Sequence, residues 1–306
     1  MKKIDVAVQS YNKAESLIFT LFTLHKYCKE SVDTVWINDD KSAPGVIEKY
    51  QKLSDSKALY PWKIKIRVNE KRVGWWVSFC AGRIPKYASF KFILKRMLWN
   101  FYKNKSFFVG VNDFRYQWAI ENTDKSRLMI IHDDVEFLDD AVNLLQGSLD
   151  RQAIPGISGE LGQCWRCRYK NEGCTPSKIL KGYRPDRIWP MTRKQKGDHK
   201  WACRVNEWVA MLDVNAAHEI SSDENVFFGN CDDEGDTGAF WFSRLVSRGY
   251  SFDDPFLRED SKSIYFKHWD GGITGHSIWV DQGNGKNTYN AQELNERIYK
   301  EFGYEL

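Results

Sequence analysis

Apolar positions along the first half of the chain switch repeatedly between a period of two and a period near 3.6. Ile4 to Val8 reads as a short strand ended by Gln9-Ser10-Tyr11-Asn12, and Ala14 to His25 then places Leu17, Leu21 and Leu24 at helical spacing. Thr34 to Asn38 reads as a second strand running into Asp39-Asp40-Lys41-Ser42. Val46 to Leu53 predicts a helix, and Lys63 to Val68 a third strand with a loop after it. Asp113 to Asn122 reads as a helix, Leu128 to Ile131 as a buried strand, and Asp139 to Leu149 as a helix. Further on, Glu207 to Val214 suits a strand and Thr237 to Gly249 a helix, whereas Gly159 to Lys200 shows no period and reads as loop-rich. This alternation predicts an α/β fold, a mostly parallel central sheet flanked by helices, with ligands at the carboxyl ends of its strands. The expected organisation is an α/β half over residues 1–150, interrupted by an insertion at about 77–112, and a second half over 151–306.

The insertion carries its own pattern. Phe90, Ile93, Leu94, Met97, Leu98 and Phe101 share one helical stripe, with Lys91 and Lys95 off it. The expected use of that stripe is packing on the core, which leaves a basic outer face; a membrane surface or a phosphate backbone are the other uses of such a face.

Composition adds a charge asymmetry to this picture. The net charge is +4, yet residues 71–112 and 163–204 together hold 21 Lys or Arg and 3 acids, so the remainder carries 24 against 38. An acidic body with two basic segments suits metal chemistry in one place and a polyanionic partner in another. Aromatic residues make up 15% of the chain, including 13 Trp, and such rings serve as stacking surfaces for sugars and bases as well as core. No signal-peptide pattern and no apolar run long enough to span a bilayer is present, which reads as a cytoplasmic protein. Seven cysteines argue against a disulfide framework. Cys164, Cys167, Cys174 and Cys203 offer half of a zinc-knuckle pattern, but the second CxxC is missing and reduced thiols are the preferred reading.

The strongest chemical signal is the apolar strand that ends in His132-Asp133-Asp134. Two carboxylates at such a strand end suit Mg²⁺ or Mn²⁺, which prefer oxygen ligands and bridge protein carboxylates to a diphosphate. A helix N-cap would explain one of the acids but not the pair with its strand. Asp39-Asp40 closes another strand, where an Asp can accept a hydrogen bond from the N3–H of uracil. Late in the chain, His268 follows the apolar Tyr265-Phe266 and offers a further metal ligand, with His276 a weaker alternative, and Gly271-Gly272 and Gly275 suit a lid behind it.

Taken in order, Val6-Ala7-Val8-Gln9-Ser10-Tyr11-Asn12, Ile37-Asn38-Asp39-Asp40-Lys41-Ser42 and Ile131-His132-Asp133-Asp134-Val135 resemble the successive motifs of family 2-type glycosyltransferases. Asn69 to Trp75 is similar to that family's asparagine-to-glycine loop, and Phe227 to Asp236 to its acidic acceptor-side motif. The resemblance implies a GT-A fold, a nucleoside-diphosphate sugar donor (a UDP-sugar first) and a divalent metal, Mn²⁺ or Mg²⁺. It places Ser10, Tyr11, Asn12, Asp39 and Asp40 at the nucleotide, with Arg72 and Asp133 beside it. Asp134 and His268 become the metal ligands. The general base of an inverting transfer comes from the acidic cluster, Asp236 first and Glu234 next. His132 stands where the family often has an acid.

Lys91, Lys95, Arg96, Trp165 and Trp208 are the candidate acceptor contacts, because cations interleaved with aromatics suit phosphate contact and stacking. Two acceptors stay open: a hydroxymethylated base in DNA, flipped from the stack, or a saccharide or lipid-linked glycan. A metal-dependent nuclease and a non-catalytic nucleic-acid binder are the competing classes. The first does not need the Tyr-Asn and Asp-Asp strand ends, and the second leaves the acidic strand end without a purpose.

Overall fold

The computed structural model describes residues 2–73, 79–80, 90–102, 108–162, 204–229, 237–258, 262–269, 272–275 and 288–306. Its centre is a seven-stranded sheet built from β1 (Ile4–Ser10), β2 (Val32–Asp39), β3 (Lys63–Val68), β6 (Arg127–Ile131), β8 (Pro155–Gly162), β9 (Arg204–Asp213) and β10 (Ser251–Asp253). The strand order is β10-β8-β9-β6-β1-β2-β3. β1 pairs in parallel with β2 and β6, and β2 with β3, while β9 runs antiparallel to both β6 and β8. Two short pairs stand apart from it: β4 (Phe79–Cys80) with β5 (Phe108–Val109), and β7 (Val135–Phe137) with β11 (Phe266–His268). The expected α/β architecture with a mostly parallel sheet is therefore present, and strands from both sides of residue 150 share one sheet.

Both faces of the central strands are covered, which is why apolar residues dominate them. On β1, Val6 and Val8 enter one core and Ala7 the other; on β6, Met129 and Ile131 oppose Leu128 and Ile130 in the same way. The first core is closed by α1 (Ala14–Cys28), α5 (Ala141–Asp150) and the C-terminal helix α8 (Ala291–Phe302). The second is closed by α4 (Gln117–Asn122), α6 (Val214–Glu224) and α7 (Ala239–Ser247). α2 (Pro44–Ser56) flanks β3, sending Tyr50 and Leu53 into the first core. α4 is shorter than the sequence pattern predicts. Val111–Asp113 forms a 3₁₀ turn, and Arg115 adopts φ +35°, so the chain bends before the helix can start.

The apolar stripe of the insertion corrects an expectation. α3 (Phe90–Tyr102) is a helix as predicted, but its stripe does not pack on the core. Phe90 is 79% exposed, Leu98 62% and Phe101 87%, while Arg96 and Asn100 are the residues turned inward. Periodicity identified the face; it could not say which way the face points.

One buried carboxylate ties the sheet to α4. Asp5 accepts hydrogen bonds from the Thr34 amide (3.2 Å), Trp36 Nε1 (2.9 Å) and Thr123 Oγ1 (2.8 Å). Removing the acceptor strands buried donors whose water has gone. Asp5→Ala should therefore lower unfolding free energy by about 3 kcal/mol, read from urea denaturation at an unchanged m-value. A loss near zero would mean that water replaces the carboxylate there.

Candidate functional site

The carboxyl ends of β1, β2, β3 and β6 lie side by side, and the polar residues singled out in the sequence gather there. Past the end of β6 the chain turns through His132, Asp133 and Asp134 into β7, whose amides are held by α1: Val135 N–H donates to Thr20 Oγ1 and Phe137 N–H to Thr23 Oγ1, each at 3.1 Å. The helix that follows takes Asp140 as its N-cap, so neither acid of the pair is spent on capping. β11 then pairs antiparallel with β7, His268 opposite Val135, and the Trp269 amide donates to the Asp134 carbonyl at 3.1 Å. This small pairing carries a histidine from far along the chain to the side of Asp134.

The two acids face different partners. Asp134 Oδ1 lies 3.2 Å from His268 Nε2 and 3.6 Å from His132 Nδ1, and it is buried without accepting a hydrogen bond of good geometry. Ligand atoms of one metal ion at about 2.1 Å from it stand roughly 3 Å apart when adjacent and about 4 Å when opposite. The three ligand atoms of His132, Asp134 and His268 all lie within 4.8 Å of one another, so a small inward shift of the rings would complete such a shell. Two imidazoles and a carboxylate fit a divalent transition metal, Mn²⁺ included, better than Mg²⁺, which favours oxygen ligands. Asp133 instead accepts from Ser10 Oγ at 2.7 Å, and Ser10 in turn accepts from Tyr50 Oη at 3.0 Å. Lys13 spans the pair, with Nζ 3.6 Å from Asp134 Oδ2 and 3.9 Å from Asp133 Oδ1.

Electrostatics follow from this crowding. Burial alone would raise the Asp134 carboxyl, but the two imidazoles and Lys13 hold it well below the usual carboxylate range. Burial raises Asp133, and the neighbouring Asp134 adds to the rise against the pull of Lys13. Burial disfavours the His132 imidazolium, yet Asp134 and Glu207 outweigh it and lift its pKa to about 9. His132 therefore carries a proton at neutral pH in the metal-free site, and a bound cation would take that proton's place.

Three contributors carried no signal strong enough to single them out in the sequence: Lys13, Arg115 and Glu207. Glu207 lies on β9, with Oε1 3.3 Å from His132 Nε2 and 3.3 Å from Arg115 Nη1. Against the cost of burial, His132 and Arg115 hold its carboxyl at about 2. A carboxylate on Nε2 turns Nδ1 toward Asp134, the arrangement that orients a metal-binding imidazole. Gly229 makes room for Arg115, because a Cβ there would lie 2.7 Å from the Arg115 Cβ. An acid buried within a largely apolar strand was the available clue. Trp208, next along β9, stacks on His268 with centroids 4.2 Å apart and planes 8° from parallel.

The β1–β3 ends form a second group. Asp40 is buried and oriented by the Val73 amide (2.7 Å) and Asn69 Nδ2 (3.1 Å), both on Oδ1. Arg72 stands with Nε 4.0 Å from Asp40 Oδ2 and its guanidinium 3.7 Å over the Tyr11 ring. Asp39 and Asn12 are engaged in the turn into α2. Asp39 accepts from the Ser42 amide (2.6 Å) and hydroxyl (2.5 Å), and Asn12 accepts from the Ala43 amide at 3.0 Å. Of the acceptor candidates, Lys91 and Lys95 are exposed on α3 and Arg96 is turned inward. Gly275, assigned to a lid, adopts φ +65° against Tyr289, where a Cβ would meet backbone and side chain at under 3 Å. Asp236, Glu234, Trp165, His276, Gly271 and the four cysteines of the zinc pattern lie outside the described residues.

No protein-family model matches the chain, and no curated protein matches it in sequence. Among solved structures, the fold is similar to that of the mannosyltransferase PcManGT from Pyrobaculum calidifontis in complex with GDP-Man and Mn²⁺. That likeness has a TM-score of 0.47 and 11% identity over 83% of this chain and 54% of the other. The chain thus spans about half the length of that protein. It is also similar to S. aureus TarS residues 1–349, with a TM-score of 0.45 and 12% identity over 99% of this chain and 72% of that one.

If Glu207 orients His132, Glu207→Gln should weaken Mn²⁺ binding about 10-fold or more, measured by titration calorimetry or by the Mn²⁺ resonance signal. The temperature is one where circular dichroism shows the variant folded, since loss of the buried charge facing Arg115 and His132 also lowers its thermal midpoint. Unchanged affinity would separate Glu207 from the site.

Proposed function

We propose that the chain is a metal-dependent glycosyltransferase of the GT-A type that uses a nucleoside-diphosphate sugar. The observation that carries this reading is the convergence of His132, Asp134 and His268 on one point beside the strand ends that hold Tyr11, Arg72 and Asp40. A nucleotide-sugar enzyme needs both halves together: a polar, aromatic surface for the base and a cation where the diphosphate ends. Asp40, fixed by two donors on one oxygen, is suited to accept the N3–H of a uracil, and the Tyr11 ring to face the base plane. A UDP-sugar is therefore the first donor to test.

Bound at the triad, the metal would stabilise negative charge on the departing diphosphate. Lys13, already facing both carboxylates, keeps the acid pair compensated, and Glu207 keeps His132 turned toward the ion. For an inverting transfer the general base proposed is Asp236, with Glu234 next, taking the acceptor hydroxyl's proton as it attacks the anomeric carbon. The acceptor proposed is a saccharide or lipid-linked glycan. α3 supports this choice over DNA: Lys91 and Lys95 are exposed, but Arg96 is turned inward and the centre of the exposed face is Phe and Leu, which a phosphate-tracking surface would not present.

Differential scanning fluorimetry with UDP-, GDP- and TDP-sugars tests the reading. One donor, at about 100-fold its Kd, should raise Tm by roughly 5 °C with Mn²⁺ and much less without it or with Mg²⁺. Asp134→Asn should remove the metal dependence. The absence of a metal-dependent shift with every donor would sink the proposal. Asp40→Ala separates the two halves of the site: donor affinity should fall about 10-fold, the cost of one hydrogen bond to a charged group, with Mn²⁺ affinity in the absence of donor unchanged. Equal losses of both would deny Asp40 a place at the base.

A further inference from the structure

We infer that α3 is a membrane-docking helix that lies in the plane of an anionic lipid surface. The outward arc of the helix is apolar at its centre: Phe90, Leu94, Leu98 and Phe101 are 79%, 44%, 62% and 87% exposed. At 100° per residue these four fall within an arc of about 80°, and Lys91 and Lys95 flank it on one side within roughly another 60°. Both lysines are exposed. That is the arrangement of an interfacial helix, in which apolar side chains enter the acyl boundary and lysines reach sideways to the headgroups.

Thirteen residues give a helix of roughly 20 Å, too short to span a bilayer but long enough to lie along one. Among the described residues no helix is long and apolar enough to cross a membrane, so any attachment through them is peripheral.

Charge decides the occupant. Residues 71–112 hold nine Lys or Arg and no acid, so the whole segment favours a negatively charged partner. Nucleic acid would meet the charge but would leave the four large apolar side chains against phosphate. A second copy docked face to face would cover the apolar arc but would offer the lysines no acid from its own residues 71–112, which hold none. An anionic bilayer satisfies the arc and the lysines together. The docking needs neither donor nor metal, so it stands or falls apart from the transfer reaction.

Vesicle co-sedimentation of the full chain tests it, using phosphatidylcholine vesicles with and without phosphatidylglycerol. The chain should bind the phosphatidylglycerol vesicles and release them as salt rises. Lys91→Gln with Lys95→Gln should weaken that binding on the order of 30-fold. Leu94→Ser, Leu98→Ser and Phe101→Ser together should abolish it. All five positions are exposed, so circular dichroism and the metal-dependent thermal shift should match the parent's in both variants. Binding that is absent in the parent, or equal in the parent and both variants, would overturn the inference. So would self-association by light scattering that disappears in the triple variant without any vesicle binding.

Discussion

Two neighbouring carboxylates, Asp133 and Asp134, sit at the end of a central strand where little water reaches them, and the surrounding arrangement follows from the need to compensate them. A buried anion costs several kcal/mol of lost hydration unless cations or donors stand against it. Here the compensation comes from distant parts of the chain: Lys13 from the turn after β1, Ser10 from β1, and His268 from the small antiparallel pair near the C-terminus. His132 adds a cation from the same turn, and Glu207 with Arg115 extends the network into β9. The alternation of sign from Arg115 through Glu207 and His132 to Asp134 leaves the inner members partnered and Asp134 Oδ1 the oxygen on which two imidazole nitrogens converge. The electrostatic demand of the strand end is thus met by segments that the β7–β11 and β6–β9 pairings bring to it.

Much of this was legible in the sequence because the central strands are covered on both faces. Ile4 to Val8 and Leu128 to Ile131 lie within strands buried on both sides, where apolar residues dominate, whereas Lys63 to Val68 is an exposed edge strand legible from its alternation of Lys and Ile. The strand-end motifs were also readable, because parallel sheets gather their ligand residues at one edge. What stayed hidden was pairing at a distance. Nothing local to Glu207 says that its carboxylate reaches His132, because that contact is set by the antiparallel run of β9 beside β6, with Ile131 opposite Val209. Arg115 is concealed for a similar reason: its place depends on a bend at positive φ and on the close passage of Gly229. His268 could be suspected as a ligand from its residue type, but only the β11–β7 register puts it beside Asp134.

The roles of Asp39 and Asn12 show how similar residue types at one edge divide into scaffold and surface. Both are polar groups at strand ends, yet each is engaged by the turn that starts α2, through Ser42 and Ala43. Asp40 is held differently, with both assigned donors on Oδ1 and the Arg72 guanidinium on the side of Oδ2. The first two make the loop rigid; the third inherits that rigidity and presents its carboxylate beside an aromatic ring. A site of this kind depends on residues that order its loops, because the entropy of that ordering is met by bonds formed before any ligand arrives.

α3 marks the point where hydrophobic periodicity stops being informative about direction. The moment of an amphipathic helix is the same whether its apolar face meets a core or a lipid surface, so the stripe through Phe90, Leu94 and Phe101 fixes a face and no more. The discriminating information lies on the opposite side of the helix. A helix whose apolar stripe packs inward should show its charged and amide residues outward, but here Arg96 and Asn100 are the buried pair. A guanidinium gives up hydration only where polar or acidic groups receive it. The helix therefore turns its polar side inward and leaves the apolar side facing out. The inversion presents an apolar arc edged with lysines in a segment free of acids.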